Sequence, residues 1–414
     1  MTPKDLRPAL PLFEEFSGRF TASLVEDRRT ESRRERAKAY LRGLLLDAES
    51  TKTAQAIALK VHGDPSQVRM TQVFLGQSAW ADEPPRDELV RWADQELGSP
   101  AGTLIVDESG FPKCGDQSVG VARQYCGATG KIDNCQVAVF LAYASAGGHT
   151  LLDERLYLPE DEWAKDAARR EEAGVPEDVV FRTKPELASE LIRSVGPRIR
   201  HGWVTFDEGY GKDPEFLSGL EELGERSSGE VPKTCRGWLR RPEVEEPRAG
   251  RRGGRPRSKP RVAPGQPEPQ TAEAVAADLP AGAWKRLQFR EGTKGIQVAH
   301  FAAVRFVVER DDLPGPELWL VIERSCDQAP YVKYYLSNAS RDCPLLEMAQ
   351  AGHHRWPIED CFLRGKQEVG LDDSEVRGWR GFHHHLTLVM LAMGFLVLQA
   401  RRLGGKNRGR PDVA

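Results

Sequence analysis

Two short apolar runs, far apart in the chain, close on the same pair of acids: Thr103-Leu-Ile-Val-Asp107-Glu108-Ser-Gly110 and Trp203-Val-Thr-Phe-Asp207-Glu208-Gly-Tyr-Gly211. Runs of this length, stopped by glycine, read as buried strands. Each strand then carries an aspartate at its C-terminal tip. Such a chain is constrained to an open α/β sheet whose strand ends line a crevice. Glu108 and Glu208 stand one step later, so strand alternation turns them away from Asp107 and Asp207.

A third acid comes much later, in Arg355-Trp356-Pro357-Ile358-Glu359, with Lys366 seven residues beyond it. On a continuous helix, offsets of four and seven place Arg355, Glu359 and Lys366 on one face, which offers either a metal ligand flanked by two cations that grip DNA phosphates or a solvated charged face. Proline is comfortable only in a first turn, which predicts a helix opening at Pro357 with Arg355 and Trp356 just before it. Carboxylate oxygens are hard ligands that suit magnesium or manganese. Two strand-tip aspartates and a helix-borne glutamate can hold two such ions, Mg2+ or Mn2+, about 3.5–4 Å apart, an arrangement suited to in-line phosphoryl displacement. For one aspartate alone, a helix cap or turn is the simpler reading.

The 414 residues hold 59 Lys and Arg against 62 Asp and Glu, a near balance that hides local asymmetry. Between Arg226 and Arg261 there are twelve Lys or Arg against four Glu. That tract suits non-specific phosphate binding or a solvated linker. The seven cysteines (114, 126, 135, 235, 326, 343, 361) form no C-x-x-C pair, so neither a zinc ribbon nor a disulfide framework is indicated, and a reducing cytosol suits them. The first 38 residues lack the apolar stretch of a secretory signal. The apolar run Leu386 to Ala400 is shorter than the ~20 residues of a membrane span and reads as a buried helix.

Residues 1–95 show helical periodicity, as in Ala37-Tyr40-Leu41-Leu44-Leu45, and form a helical domain for DNA binding, packing or dimerisation. Strands are expected at 103–107, 135–145 and 151–157, then a helix from Lys184 to Ile192 opened by the Thr183-x-x-Glu186 capping box, then the strand ending at Asp207. Three strands, a helix and a further strand open a ribonuclease H-like sheet. A helix over 214–223 follows, then a mobile basic loop from Arg248 to Gln270. Strands return at 297–308, 317–322 and 333–336, and the chain is helical again from Leu345 to about Leu403. The expected class is α/β: a ribonuclease H-like mixed-sheet core interrupted by a β-rich insertion, with an all-helical N-terminal domain and a helical C-terminus. The boundaries are 1–95 for the helical domain, 98–235 for the first part of the core, 236–340 for the basic linker and insertion, 341–405 for the second part of the core, and 406–414 for a basic tail.

The pattern formed by Arg355, Trp356, Ile358, Glu359, Phe362 and Lys366 resembles the Tyr-Arg-Glu-Lys signature of the DDE transposases of bacterial insertion sequences. The blocks Val106–Lys113, Ser118–Gly127, Asn134–Gln136, Asp207–Gly211 and Leu371–Trp379 resemble one branch of that superfamily, and the likeness runs over roughly residues 40 to 400. The resemblance implies cutting of double-stranded DNA at element ends and joining of the freed 3′-hydroxyl to target DNA. It also implies a homodimer on DNA and a cytoplasmic bacterial protein that is nucleoid-associated when bound. Asp107 would bridge two metal ions, with Asp207 and Glu359 each completing one site. No membrane and no small-molecule cofactor are expected. The chain departs from the signature at Gly352, where the family carries a tyrosine, so that hydroxyl's phosphate contact is missing or passes to His353 or His354.

Several residues keep two readings. Trp356 either stacks on a displaced base or packs in the core. Lys113 and Arg123 are phosphate contacts or ordinary surface charges. His383, His384 and His385 are consecutive on a helix, point in different directions and cannot form one ligand face. Two other functions stay open: a domesticated DNA-binding relative that does not cut, and a ribonuclease H-like nuclease acting on another nucleic acid.

Overall fold

The computed structural model describes residues 3–24, 30–46, 51–247, 259–292, 295–326 and 330–403. Arg248 to Arg257 of the basic tract, and the tail 406–414, lie outside them. The chain is a mixed α/β protein of two compact units, one running to Gly202 and resuming at Trp356, the other Trp203–Arg355.

The first unit opens with five helices, α1 (Pro3–Thr21), α2 (Thr30–Leu45), α3 (Ala54–His62), α4 (Ser66–Gly76) and α5 (Glu83–Leu97). Its strands are β1 (Thr103–Pro112), β2 (Ala122–Cys126), β3 (Lys131–Ser145) and β4 (Gly148–Leu156), all paired antiparallel through β3. From Cys135 onward every β3 residue is buried, because the strand is central and covered on both faces. Helices α6 (Ala167–Ala173) and α7 (Lys184–Val195) follow. The capping box forms as expected: the Thr183 side chain accepts from the Glu186 amide, and the Glu186 carboxylate accepts from the Thr183 amide.

The second unit runs through β5 (Trp203–Thr205), α8 (Glu208–Gly211), α9 (Pro214–Glu222), β6 (Ser228–Val231), β7 (Arg236–Trp238), β8 (Val244–Glu245), β9 (Arg261–Val262), β10 (Gln270–Thr271) and α10 (Ala272–Asp278). It continues with β11 (Lys285–Gly292), β12 (Gly295–Arg310), β13 (Leu313–Ser325), β14 (Val332–Ser337) and α11 (Leu345–His353). Its sheet has the order β10-β7-β12-β13-β14-β6, with β11 also along β12. The β-rich sheet is thus larger than the three expected strands, since β6, β7, β10 and β11 join it. The described part of the expected loop, 259–270, contains the short strand β9 and the first residue of β10. Asp311 and Asp312 turn β12 into β13, both in the left-handed region at φ 52° and 60°. That is the conformation of a tight hairpin loop, and aspartate tolerates it better than most residues. Phe289, Phe301, Tyr335 and Met348 fill the space between the sheet and α11.

Back in the first unit, α12 (Trp356–Val369) and α13 (Trp379–Arg402) complete the fold. At 24 residues α13 is longer than the run read from sequence, and it is long and apolar enough to cross a membrane; 89% of that window is buried inside the protein. Phe395 meets Phe13 and Phe16 of α1 at 5.6 and 5.5 Å, and Phe16 meets Trp92 of α5 at 5.7 Å. The N-terminal helices therefore share one core with the C-terminal helix. The three histidines of α13 go three ways: His383 Nδ1 to Glu154 at 2.6 Å, His384 to the carbonyls of Leu75 and Trp80, and His385 to the Gly370 carbonyl and the Tyr40 hydroxyl. Burial pushes His384 and His385 down to about 4, against the carbonyls that favour their charged forms.

Candidate active site

Asp107 lies in the middle of β1, opposite Phe140 of β3, and not at a strand tip. The apolar run ends there in sequence, but β3 keeps supplying backbone partners as far as Cys135, so the strand continues to Pro112. Gly110 allows this, because a Cβ at that position would sit 2.6 Å from Cys126 Sγ. Asp107 is half-buried, and its Oδ1 accepts from the Glu108 amide at 2.8 Å. Glu108 emerges on the opposite face, where Lys184 of α7 donates to it at 2.7 Å.

Glu359 is exposed on α12, which begins at Trp356 with Pro357 in its first turn. Phe362, one turn later, rests on Phe140 with 5.3 Å between ring centroids. Directly opposed residues share a sheet face, so Phe140 and Asp107 point the same way. Lys366 Nζ, two turns past Glu359, lies 5.7 Å from the ring centre of Phe111, which shares that face by alternation. The stripe Glu359–Phe362–Lys366 therefore runs along the surface that carries Asp107.

Asp207 belongs to the second unit. It caps α8, accepting from the amides of Gly209 at 2.9 Å and Tyr210 at 3.4 Å through the same oxygen, Oδ1. Its neighbour Glu208 is exposed on α8. Asp107 and Glu359 of the first unit offer carboxylate oxygen alone, which fits magnesium or manganese better than softer metals. Among the described residues, no group of three or more His, Cys, Asp or Glu side chains that could hold a metal is found.

Arg355 is half-buried at the end of the second unit, and Trp356 is half-buried at the start of α12. The Trp356 ring meets His149 edge-on at 5.7 Å, and His149 Nε2 lies 2.7 Å from Asp360, which Arg364 also contacts at 2.8 Å. Burial raises the Asp360 carboxyl, but His149 and Arg364 outweigh it and hold the group below its usual range. This anchor at the opening turn of α12 was invisible in sequence, since 211 residues separate its two ends.

The two lysines expected on DNA are half-buried and turned inward. Lys366 Nζ donates to the Gly110 carbonyl at 3.2 Å, and Lys113 Nζ to the Ser374 carbonyl at 2.6 Å. Burial draws both ammonium pKa values down, while Asp372 opposes the shift. The Ser374 contact and a bond from the Val119 amide to the Arg377 carbonyl join the 113–127 block to the 371–379 block. Arg123 stays exposed on β2.

At Gly352, the place of the family tyrosine, a Cβ would stand 3.0 Å from the Tyr335 ring. His353 turns inside the second unit, where Nε2 lies 2.8 Å from the fully buried Glu323. Tyr331 and Tyr335 donate to the same carboxylate at 2.8 and 2.9 Å. Burial raises the Glu323 carboxyl, but these donors outweigh it and leave the group below its usual range. A carboxylate depressed in the folded state stabilises above the unfolded value of about 4.3, and that stability is lost as pH falls through the folded value. Denaturant midpoints are therefore expected to drop below about pH 4 in the parent protein and to drop less steeply in Glu323→Gln.

A family profile described as DDE superfamily endonuclease matches residues 11–296, well over half of the chain. The chain belongs to that family. Members of the DDE superfamily generally use divalent metal ions. The matched span of this DDE superfamily protein contains Asp107 and Asp207, and ends before Glu359 and α12. The protein is also 34% identical over 152 residues to a "Probable transposase for insertion sequence element IS701" from Microchaete diplosiphon. That alignment covers 36% of this chain and 37% of the relative.

Proposed function

We propose that the chain is a transposase that cuts DNA at element ends and joins the freed 3′-hydroxyl to target DNA. The observation that carries this reading is the placement of Glu359 and Asp107 on one surface of a chain in the DDE endonuclease family. The relative's name points the same way. The core is read as ribonuclease H-like, with the Trp203–Arg355 unit supplying Asp207 and the β insertion.

Asp107, Asp207 and Glu359 would hold two Mg2+ or Mn2+ ions, which when bound supply charge neutralisation at the scissile phosphate and lower the pKa of the attacking water. The β1–β3 ladder fixes the backbone of Asp107 and with it the sheet face from which its carboxylate leaves. Trp356, steadied by His149, is offered to a base displaced from the duplex, and Arg355 and Arg123 to phosphates. The inward-turned Lys113 and Lys366 act by shaping the site, through the carbonyls of Ser374 and Gly110. The N-terminal helices are assigned to DNA binding, and a homodimer joins two ends. Gly352 keeps a binding-only relative as the second reading.

The test uses the full chain with duplexes bearing the ends of the DNA segment that encodes it. Magnesium or manganese should give 3′-hydroxyl ends and joined products, and EDTA should remove both. Binding without any cut product in either metal selects the second reading. Cleavage that persists in EDTA overturns the two-metal reading.

A further inference from the structure

The sheet of the second unit brings a thiol and an imidazole together on a face that the reaction above leaves unused. Arg286 of β11 stands directly opposite His300 of β12, and His300 directly opposite Arg324 of β13. The β12–β13 ladder runs out at Ala299 opposite Ser325, so Cys326, the next residue, returns to the face of Arg324 and His300. There its Sγ lies 3.3 Å from His300 Nδ1. The two residues are 26 apart in the chain, on neighbouring strands, and no sequence motif links them.

Cys326 is exposed, as is Cys114 in the other unit, whereas the remaining five cysteines are buried or half-buried. His300 is half-buried and Arg286 exposed. Arg324 is held in place: its guanidinium lies 3.7 Å from the centre of the Trp284 ring and donates to the Ala276 carbonyl at 2.8 Å. Acids are near as well. Glu291 stands opposite Ile296 further along the β11–β12 ladder, and Glu273 of α10 lies 3.1 Å from Lys233. Asp327, next in sequence, falls outside the described residues. The face is therefore mixed in charge, and what distinguishes it is an exposed thiol within reach of a base.

A cysteine attacks through sulfur that has shed its proton, and a neighbouring imidazole can take that proton. With its own hydrogen on Nε2, His300 accepts the thiol hydrogen at Nδ1 while the exposed sulfur meets reagents from solvent. We propose that Cys326 is a modification site for low-molecular-weight disulfides that carry carboxylates. The Cys326 sulfur attacks one sulfur of the disulfide, the S–S bond between its halves breaks, and a mixed disulfide forms on Cys326. The departing thiolate takes the proton held by His300. Cys326 is oxidised and the departing sulfur reduced, so the exchange needs no other oxidant. Arg286, exposed and directly opposite His300, offers a planar guanidinium fork to a carboxylate of the arriving disulfide. None of this depends on the DNA chemistry proposed above.

The experiment pulses the reduced full chain with iodoacetamide at neutral pH and follows each cysteine by peptide mass spectrometry, with exposed Cys114 as the internal reference. Folded Cys326 should be alkylated about tenfold faster than Cys114 or more, and urea should bring the two rates together. His300→Gln should remove most of that advantage while melting as the parent does. Glutathione disulfide, which bears carboxylates, should then modify Cys326 in preference to Cys114. Cystamine, whose charges are ammonium groups alone, should show a smaller preference, and Arg286→Gln should erase the difference between the two reagents. Equal alkylation of Cys326 and Cys114 in the folded parent overturns the proposal, whether or not any variant folds. So does a Cys326 that stays fast in folded His300→Gln, because exposure alone would then account for it. Cystamine as selective as glutathione disulfide overturns the assignment to carboxylate-bearing disulfides.

Discussion

Asp107→Ala should lower strand cleavage by at least about 10³-fold, about 4 kcal/mol of transition-state stabilisation, while DNA affinity changes by less than about twofold. The substitution is mild for the fold. Asp107 is half-buried in a strand held by backbone bonds to β3, and the bond its carboxylate accepts from the Glu108 amide is local. The ladder that fixes the strand does not depend on that carboxylate. Glu108→Ala is the matched control, because it deletes an equal charge one residue away on the opposite face and breaks the pair with Lys184. Gel-resolved cleavage of an end substrate in magnesium should show the first variant dead and the second within a few-fold of the parent. Robust cleavage by Asp107→Ala would remove this residue, and with it the site as drawn, from the chemistry.

The second large effect is on stability. Arg86 of α5 is buried among Asp82 at 2.6 Å, Asp153 at 3.2 Å and Glu154 at 3.0 Å, and Glu154 in turn meets His383 of α13. Burial disfavours the Arg86 charge, but the three carboxylates outweigh it and raise its pKa above the ordinary arginine range. The cluster pins α5, β4 and α13 together. Removing its central cation strands buried carboxylates, which typically costs about 3–5 kcal/mol. Arg86→Ala should therefore lower the unfolding free energy read from denaturant titration by that amount, and adding Glu154→Gln should recover part of it. A loss under about 1 kcal/mol would mean that the three elements are held by apolar contacts alone.

What was legible in sequence was what local patterns can encode. The capping box at Thr183 and Glu186, the first-turn Pro357 and the opposite directions of Asp107 and Glu108 follow from spacing of a few residues. The extent of β1 did not, because Ser109 and Gly110 are strand only by virtue of Val137 and Ala138 across the ladder. Short strands such as β6 and β7 have too few residues to show a period, and they form because β14 and β12 offer them an edge. The inward turn of Lys366 was not legible for a related reason. Helical spacing gives the direction in which a side chain leaves the helix, but not whether a strand carbonyl waits there, as Gly110 does. The Asp207 cap shows the converse: one strand-tip aspartate can serve a local turn and still be read as a ligand.

The packing of α13 bears on how the protein is made. Phe395, His384 and His385 reach back to α1, to the α4–Trp80 segment and to α2, so the earliest helices complete their core with a helix that begins only at Trp379. Contacts this distant delay folding and leave apolar surface uncovered while the ribosome is still working. A transcript cut short before Trp379 would yield helices with nothing to close them, a substrate for proteases. Translation itself thus screens out fragments that lack the closing helix.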